Sequence, residues 1–265
     1  MAARALVGAL GALLLAVAAA PSSAQDVAPG LDAFFPLVTR RPVVEHEIEL
    51  RFQHDKGRDG RATAIALAID WAVLPRWQVA LAMPLIFTDP RDGSGAGGAG
   101  DLELENKVVL WQAPERKMLV AAGLNVRLPT GSEARGLGGE TSMEPFASIG
   151  LGARGIFVLA DLGYEWNLNT RGAGRDDQRV RSGVAVGAPV GRRLIPFVEL
   201  TAVSVLRSGG TEVSRRLRDR VQLYLTPALN VQVLPEATLG LGIQLPLTEA
   251  RAFDYALHAS VDWEF

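Results

Sequence analysis

Sixteen ionisable side chains fall in a single alternating phase of the chain, and they are the residues whose types could do chemistry. The acids are Glu47, Glu49, Asp70, Glu103, Glu105, Asp161, Glu165, Glu199, Asp254, Asp262 and Glu264; the bases are Arg51, Lys107, Arg127, Arg179 and Arg181. Arranged around a water-filled passage, such a surplus of acids would concentrate cations. Paired acid to base, the same groups would fill the passage instead, because buried charges need partners. A third reading is catalytic. His258, Ser260 and Asp262 share one face of one segment at spacing two, and a His close to a Ser suggests an activated nucleophile. Same-face neighbours along a strand lie ~6.6–6.8 Å apart by rise alone, beyond hydrogen-bond reach, so no catalytic residue is expected here.

Other chemistry is excluded or weak. The chain has 265 residues and no Cys, which removes disulfides, thiolate metal ligands and thiol catalysis. There are three His in all, and His46 and His54 are ~26 Å apart by strand rise, so they cannot share a metal. No metal or cofactor is expected. A formal net charge of -2 argues against nucleic acid as a partner. Residues 205–220 are locally basic through Arg207, Arg215, Arg216, Arg218 and Arg220, and would suit either solvent or the phosphates of lipopolysaccharide. The glycine-rich stretch 93–100 leads to another strand, not to a helix N-terminus, and so is not a phosphate cradle.

The elements that must position the charged phase are strands. In residues 62–73, Thr63, Ile65, Leu67, Ile69, Trp71 and Val73 alternate with Ala62, Ala64, Ala66, Ala68, Asp70 and Ala72. Period two puts these sets on opposite faces. About twelve such segments occur: 44–54, 62–73, 77–87, 101–111, 118–128, 145–153, 156–167, 178–188, 194–204, 220–233, 238–247 and 253–265. Each approaches the ~9–11 residues of a tilted membrane strand.

Alternation alone fits a soluble barrel as well. Three features favour a membrane. The connections alternate: of 55–61, 88–100, 129–144, 168–177, 205–219 and 248–252 most are long and rich in Gly or charge, and 74–76, 112–117, 154–155, 189–193 and 234–237 are short. Trp71, Trp77, Trp166, Trp263 and Phe265 sit near strand ends in the apolar phase, where interfacial girdles lie. The last segment closes on Phe265, in phase with its apolar face. The expected fold is all-β: a closed antiparallel transmembrane barrel of about twelve strands, with short periplasmic turns and longer extracellular loops.

Residues 1–24 read as a secretory signal peptide, with Arg4, the apolar run Ala5 to Ala20, and cleavage after Ala24. Residues 25–43 are then a periplasmic N-terminal segment, and 44–265 the barrel. No other stretch is apolar enough for a membrane helix.

Three short motifs resemble a known family. Gly100-Asp101-Leu102-Glu103-Leu104 with Lys107 resembles a G-D-L-x-L-x-x-K strand start. Leu128-Pro129-Thr130-Gly131 is similar to an L-P-T-G at the top of the next strand, and Gln244-Leu245-Pro246-Leu247-Thr248 to its echo before the last. The family is that named for the meta-pathway of phenol degradation, a group of Gram-negative outer-membrane proteins labelled as transporters. The resemblance implies passage of small, aromatic or apolar, compounds. Pro84, Pro129 and Pro246 near outer strand ends are read as structural, where a ladder donor is dispensable.

The expectation is therefore a non-enzymatic outer-membrane channel or facilitator for a small molecule of unknown identity. Arg51, Asp70, Glu103, Glu105, Lys107, Arg127, Asp161, Glu165, Arg179, Arg181 and Glu199 would line its lumen. Trp263 and Phe265 would form a signal for the barrel-assembly machinery, and outer-membrane lipid and lipopolysaccharide would surround the protein. The alternatives are a structural or surface-interaction barrel with a plugged lumen, and a membrane-embedded hydrolase.

Overall fold

A computed structural model describes residues 31–169, 177–208 and 212–265. The expected leader lies outside the described residues. Twelve long strands close into one antiparallel barrel: β1 (Glu47–Gly57), β2 (Gly60–Leu74), β3 (Trp77–Pro90), β5 (Leu102–Ala113), β6 (Met118–Leu128), β7 (Ser142–Ala153), β8 (Ile156–Asn167), β9 (Gln178–Gly187), β10 (Leu194–Arg207), β11 (Val221–Leu234), β12 (Ala237–Pro246) and β13 (Tyr255–Glu264). The short β4 (Ala96–Ala99) pairs back onto β3. Among the described residues the one α-helix, α1 (Glu212–Leu217), lies between β10 and β11. β1 pairs with β13 from Glu47↔Glu264 to Lys56↔Tyr255, so no edge is left open.

The alternation sets the two faces as expected. On β2, Leu67 is 50% exposed and its neighbour Ala68 1%. On β8, Ile156, Leu162 and Trp166 face outward, while Phe157, Leu159, Asp161 and Asn167 are buried inside. The outer face carries large apolar side chains on every long strand. A band of that extent in water would drive association, whereas lipid hydrocarbon accommodates it.

Two expectations about the connections, and one about the N-terminal segment, need correction. β1 and β2 run on to meet in a two-residue turn at Arg58 and Asp59, so 55–61 is not a long loop. Gly57 pairs with Gly60 there; Gly60 has φ +138°, and a Cβ on it would press on the Asp89 carbonyl. Residues 96–99 form a strand, although glycine is a poor strand former. Pro84 explains why it fits. The β3–β5 pairing ends at Ala82↔Glu103 and the β3–β4 pairing begins at Leu85↔Ala99, leaving Pro84 where the partner changes and no donor is needed.

The third correction concerns residues 31–43, expected in the periplasm. They run into the barrel from the short-turn end. Leu31, Phe34 and Val43 form a buried apolar core with Val109, Leu119, Phe157, Leu159, Ile195 and Phe197. These strand residues share the charged phase but sit at its short-turn end. Their apolar side chains would face water in an empty barrel, and the segment covers them.

Candidate functional site in the barrel lumen

Backbone groups hold the N-terminal segment. The Glu199 carboxylate, fully buried, accepts the N–H groups of Leu37 at 2.8 Å, Val38 at 3.2 Å and Thr39 at 2.7 Å. The Asn230 side chain accepts the Phe35 N–H at 3.1 Å and donates to the Phe35 carbonyl at 2.9 Å, as a neighbouring strand would. Asp161 accepts the Arg40 N–H at 3.3 Å and an Arg181 guanidinium N–H at 3.1 Å. Glu199 and Asp161 therefore hold the segment and do not border the open space. Charge-assisted bonds of this kind are among the strongest a buried carboxylate makes.

Beyond the segment lies a cavity of about 550 Å³. Arg51, Asp70, Glu103, Glu105, Lys107, Arg127, Glu165, Arg179 and Arg181 all line it, so the structure brings together nine of the eleven residues expected in the lumen. Acids and bases interleave around it. Glu47, Glu49, Asp70 and Asp262, on β13, β1 and β2, have Arg41 and Arg51 beside them, and Arg127, Arg179 and Arg181, on β6 and β9, have Glu103, Glu144 and Glu165 beside them.

The arginines are tied into a network. Arg127 reaches Glu165 at 3.1 Å, Glu103 at 3.3 Å and Glu140 at 3.5 Å; Arg179 reaches Asp177 at 3.3 Å. Burial holds the Glu140 carboxyl, in the β6–β7 loop, above its ordinary value, against the pull of the Arg127 and Arg179 charges. From the segment, Arg40 grips Glu144 with contacts of 2.6 and 2.8 Å and lies over the Phe146 ring. Arg41 pairs with Glu45 at 2.6 Å and Glu47 at 3.3 Å. Sequence reasoning missed Arg40 and Arg41 because they precede the expected first strand, and Glu144 because its strand begins three residues earlier than expected; Glu45 lies within the expected strand 44–54 and shares the parity of Glu47, so the same signal could have found it. Their entry reduces the acidic surplus: nine acids and seven bases line the cavity.

The oxygens of Glu47, Glu49 and Asp262 lie within 4.8 Å of one another and could share a cation. Arg41 at Glu47 and Arg51 at Glu49, 3.1 Å away, supply counter-charge already. The catalytic reading loses its geometry. Ser260 donates to Asp262 at 2.8 Å, and His258 is hydrogen-bonded to Gln244 at 3.3 Å.

The motif residues fasten loops. Asp101 accepts the N–H groups of Gly131 and Gly139, both at 2.8 Å, and of Glu140 at 2.9 Å. Gly138, at φ +151°, passes so close to that carboxylate that a Cβ would collide with it. Thr130 accepts the Leu102 N–H at 2.8 Å, and Thr248 accepts the Leu223 N–H at 3.0 Å, the same bond in two places.

No protein-family model matches the chain, and no curated protein matches it. Solved structures do. An outer-membrane channel from Pseudomonas putida F1 is 14% identical over 88% of this chain and 100% of that one, with a TM-score of 0.64. The NanC porin is 11% identical over 82% and 98%, at 0.58. The KdgM porin, solved in complex with disordered oligogalacturonate, is 9% identical over 83% and 99%, at 0.53. The fold is that of an outer-membrane β-barrel. In such a barrel the short-turn end, where Trp71, Trp263 and Phe265 gather, is the periplasmic end. There His46 packs against Trp71, with ring centroids 4.6 Å apart, and against Phe265 at 5.8 Å. His54, at the other end of β1, is bonded to Thr63 at 2.9 Å.

Proposed function

We propose that this protein is a channel of the Gram-negative outer membrane that passes small polar solutes, cations before anions. The observation that carries the reading is the charged cavity of about 550 Å³ inside a barrel whose outer face is apolar. A lining of carboxylates and guanidiniums solvates polar groups and offers little to an apolar molecule. The family resemblance, with its aromatic or apolar compounds, supports the channel; the lining favours polar cargo within it. The surplus of nine acids over seven bases in the lining supplies the bias toward cations.

A second reading, a closed structural barrel, draws on the apolar core that Leu31, Phe34 and Val43 form across the periplasmic side. Single-channel recording on the refolded full chain separates the two. Stepwise conductance with a cation-selective reversal potential supports the channel. Silence in the full chain and in a variant whose segment has been released supports the closed barrel.

A further inference from the structure

At the long-loop end a second pocket, of about 250 Å³, opens between the Arg58–Asp59 turn and the β10–β11 and β12–β13 connections. Arg58, Arg216, Arg220 and Arg251 line it, together with the acids Glu249 and Asp254 and the apolar Leu217 and Phe253. Three separate stretches of chain thus contribute guanidiniums to one concave site outside the lumen.

The site is fixed in place. Arg216 reaches across to Asp59 with two contacts, 3.3 and 3.0 Å, and so pins α1 to the β1–β2 turn. Leu217 is buried beneath it, and the Asp219 N–H donates to the Val205 carbonyl at 2.9 Å. On the other side, Phe253 stacks on Tyr224 with centroids 4.6 Å apart, and the Ala252 N–H donates to the Tyr224 hydroxyl at 2.9 Å. Arg251 is taken by Asp254 at 2.8 Å. Arg58 and Arg220, among the described residues, have no side-chain partner. Of the two carboxylates that line the pocket, Asp254 is taken by Arg251, and Glu249 is left against Arg58 and Arg220, so the lining carries a cationic surplus that a bound phosphate group neutralises. Guanidinium forks match phosphate oxygens, and a ring face beside them suits the C–H face of a sugar.

We propose that this pocket binds the phosphate group of a phosphorylated saccharide. Two sources present that chemistry at the outer surface: the phosphorylated sugars of the surrounding glycolipid, and a free sugar phosphate.

Calorimetric titration of the refolded full chain in neutral detergent tests it, with glucose 1-phosphate, inorganic phosphate and lipid A in mixed micelles as probes. Glucose 1-phosphate is expected to bind saturably, and at least tenfold more weakly to an Arg58→Ala/Arg220→Ala variant. Arg116→Ala/Arg192→Ala, at the opposite end of the barrel, removes the same two charges and should bind as the parent does. Tighter binding of lipid A assigns the source to the membrane; binding of the sugar phosphate without lipid A assigns it to solution; both support the site. Absence of saturable binding for all three probes, or equal binding by the double variant, overturns it. If the double variant does not fold, Arg220→Gln decides, with a loss of at least threefold expected and no change overturning the proposal.

Discussion

The carboxylate of Glu199 accepts the backbone N–H of Thr39 at 2.7 Å, joining residues 160 positions apart in the chain. Together with its bonds to Leu37 and Val38, it makes one side chain of β10 the main anchor of the N-terminal segment. Glu199→Ala leaves those donors facing an apolar methyl. Each buried donor stranded in this way costs about 1–3 kcal/mol. The expected result is a segment that leaves its seat while the strands stay paired: more frequent and larger conductance steps, with unchanged far-ultraviolet circular dichroism. Glu199→Gln, which keeps an acceptor, should fall between parent and Ala.

Selectivity should follow the acidic surplus. Glu49 and Asp70 line the cavity together with Arg51, Arg179 and Arg181. Glu49→Gln with Asp70→Asn removes two negative charges and leaves the guanidiniums in place. The reversal potential in a potassium chloride gradient is expected to move toward the anion side. A reversal potential that does not move would show that ions take a path elsewhere.

The faces of the barrel can be read by substitution. Leu67 projects outward from β2, and Ala66 beside it projects inward. Leu67→Arg should cost about 2–4 kcal/mol in a lipid-embedded barrel. Ala66→Arg enters a polar interior and should cost less. A soluble barrel inverted in its faces would give the same order, so fluorescence decides. A fluorophore attached to the thiol of a Leu67→Cys variant should be quenched by a lipid-borne nitroxide. The same fluorophore on an Ala66→Cys variant should not.

This part of the molecule was legible from sequence for a simple reason. Period-two alternation needs only neighbours in the chain, and Thr63 to Val73 display it unaided. Nine lumen residues followed from the same parity. The position of residues 31–46 could not be read that way, because its partners, Glu199 and Asn230, are remote in sequence and ordinary in type. A signal was nevertheless present. Phe157, Leu159, Ile195 and Phe197 are apolar in a phase otherwise charged, and they cluster at one end of the barrel. Apolar residues facing inward at one level require something apolar to meet them, and Leu31, Phe34 and Phe35 were available. The tight turn at Arg58 and Asp59 was missed because charged residues at strand ends resemble a loop.

Asp101 is expected to matter for one loop and little else. Its carboxylate holds three N–H groups of residues 131–140. Asp101→Ala should free that loop, so that trypsin cleaves after Arg135 faster than in the parent while the barrel resists digestion. Equal cleavage rates would show that Leu137, buried beside it, is sufficient to hold the loop.

Phe265 packs against Trp71 with ring centroids 5.9 Å apart, and its N–H donates to the His46 carbonyl at 3.2 Å. Phe265→Ala is expected to lower the amount of folded protein reaching the outer membrane in cells more than it lowers stability in detergent. Quantitative heat-modifiability gels of membrane fractions, set beside thermal unfolding of purified protein, measure both.

The lumen segment leads directly into β1 at Glu47, with no linker between seat and strand. In binding terms it is a ligand tethered beside its receptor, at an effective concentration in the millimolar range or above. Its occupancy is thus independent of how much protein is present, and a free peptide of the same sequence would compete poorly for the seat. Release by a solute in the cavity would be local and reversible, because the displaced chain stays within reach of Glu199. The covalent continuity that makes the segment hard to expel also returns it without a partner protein or an energy source.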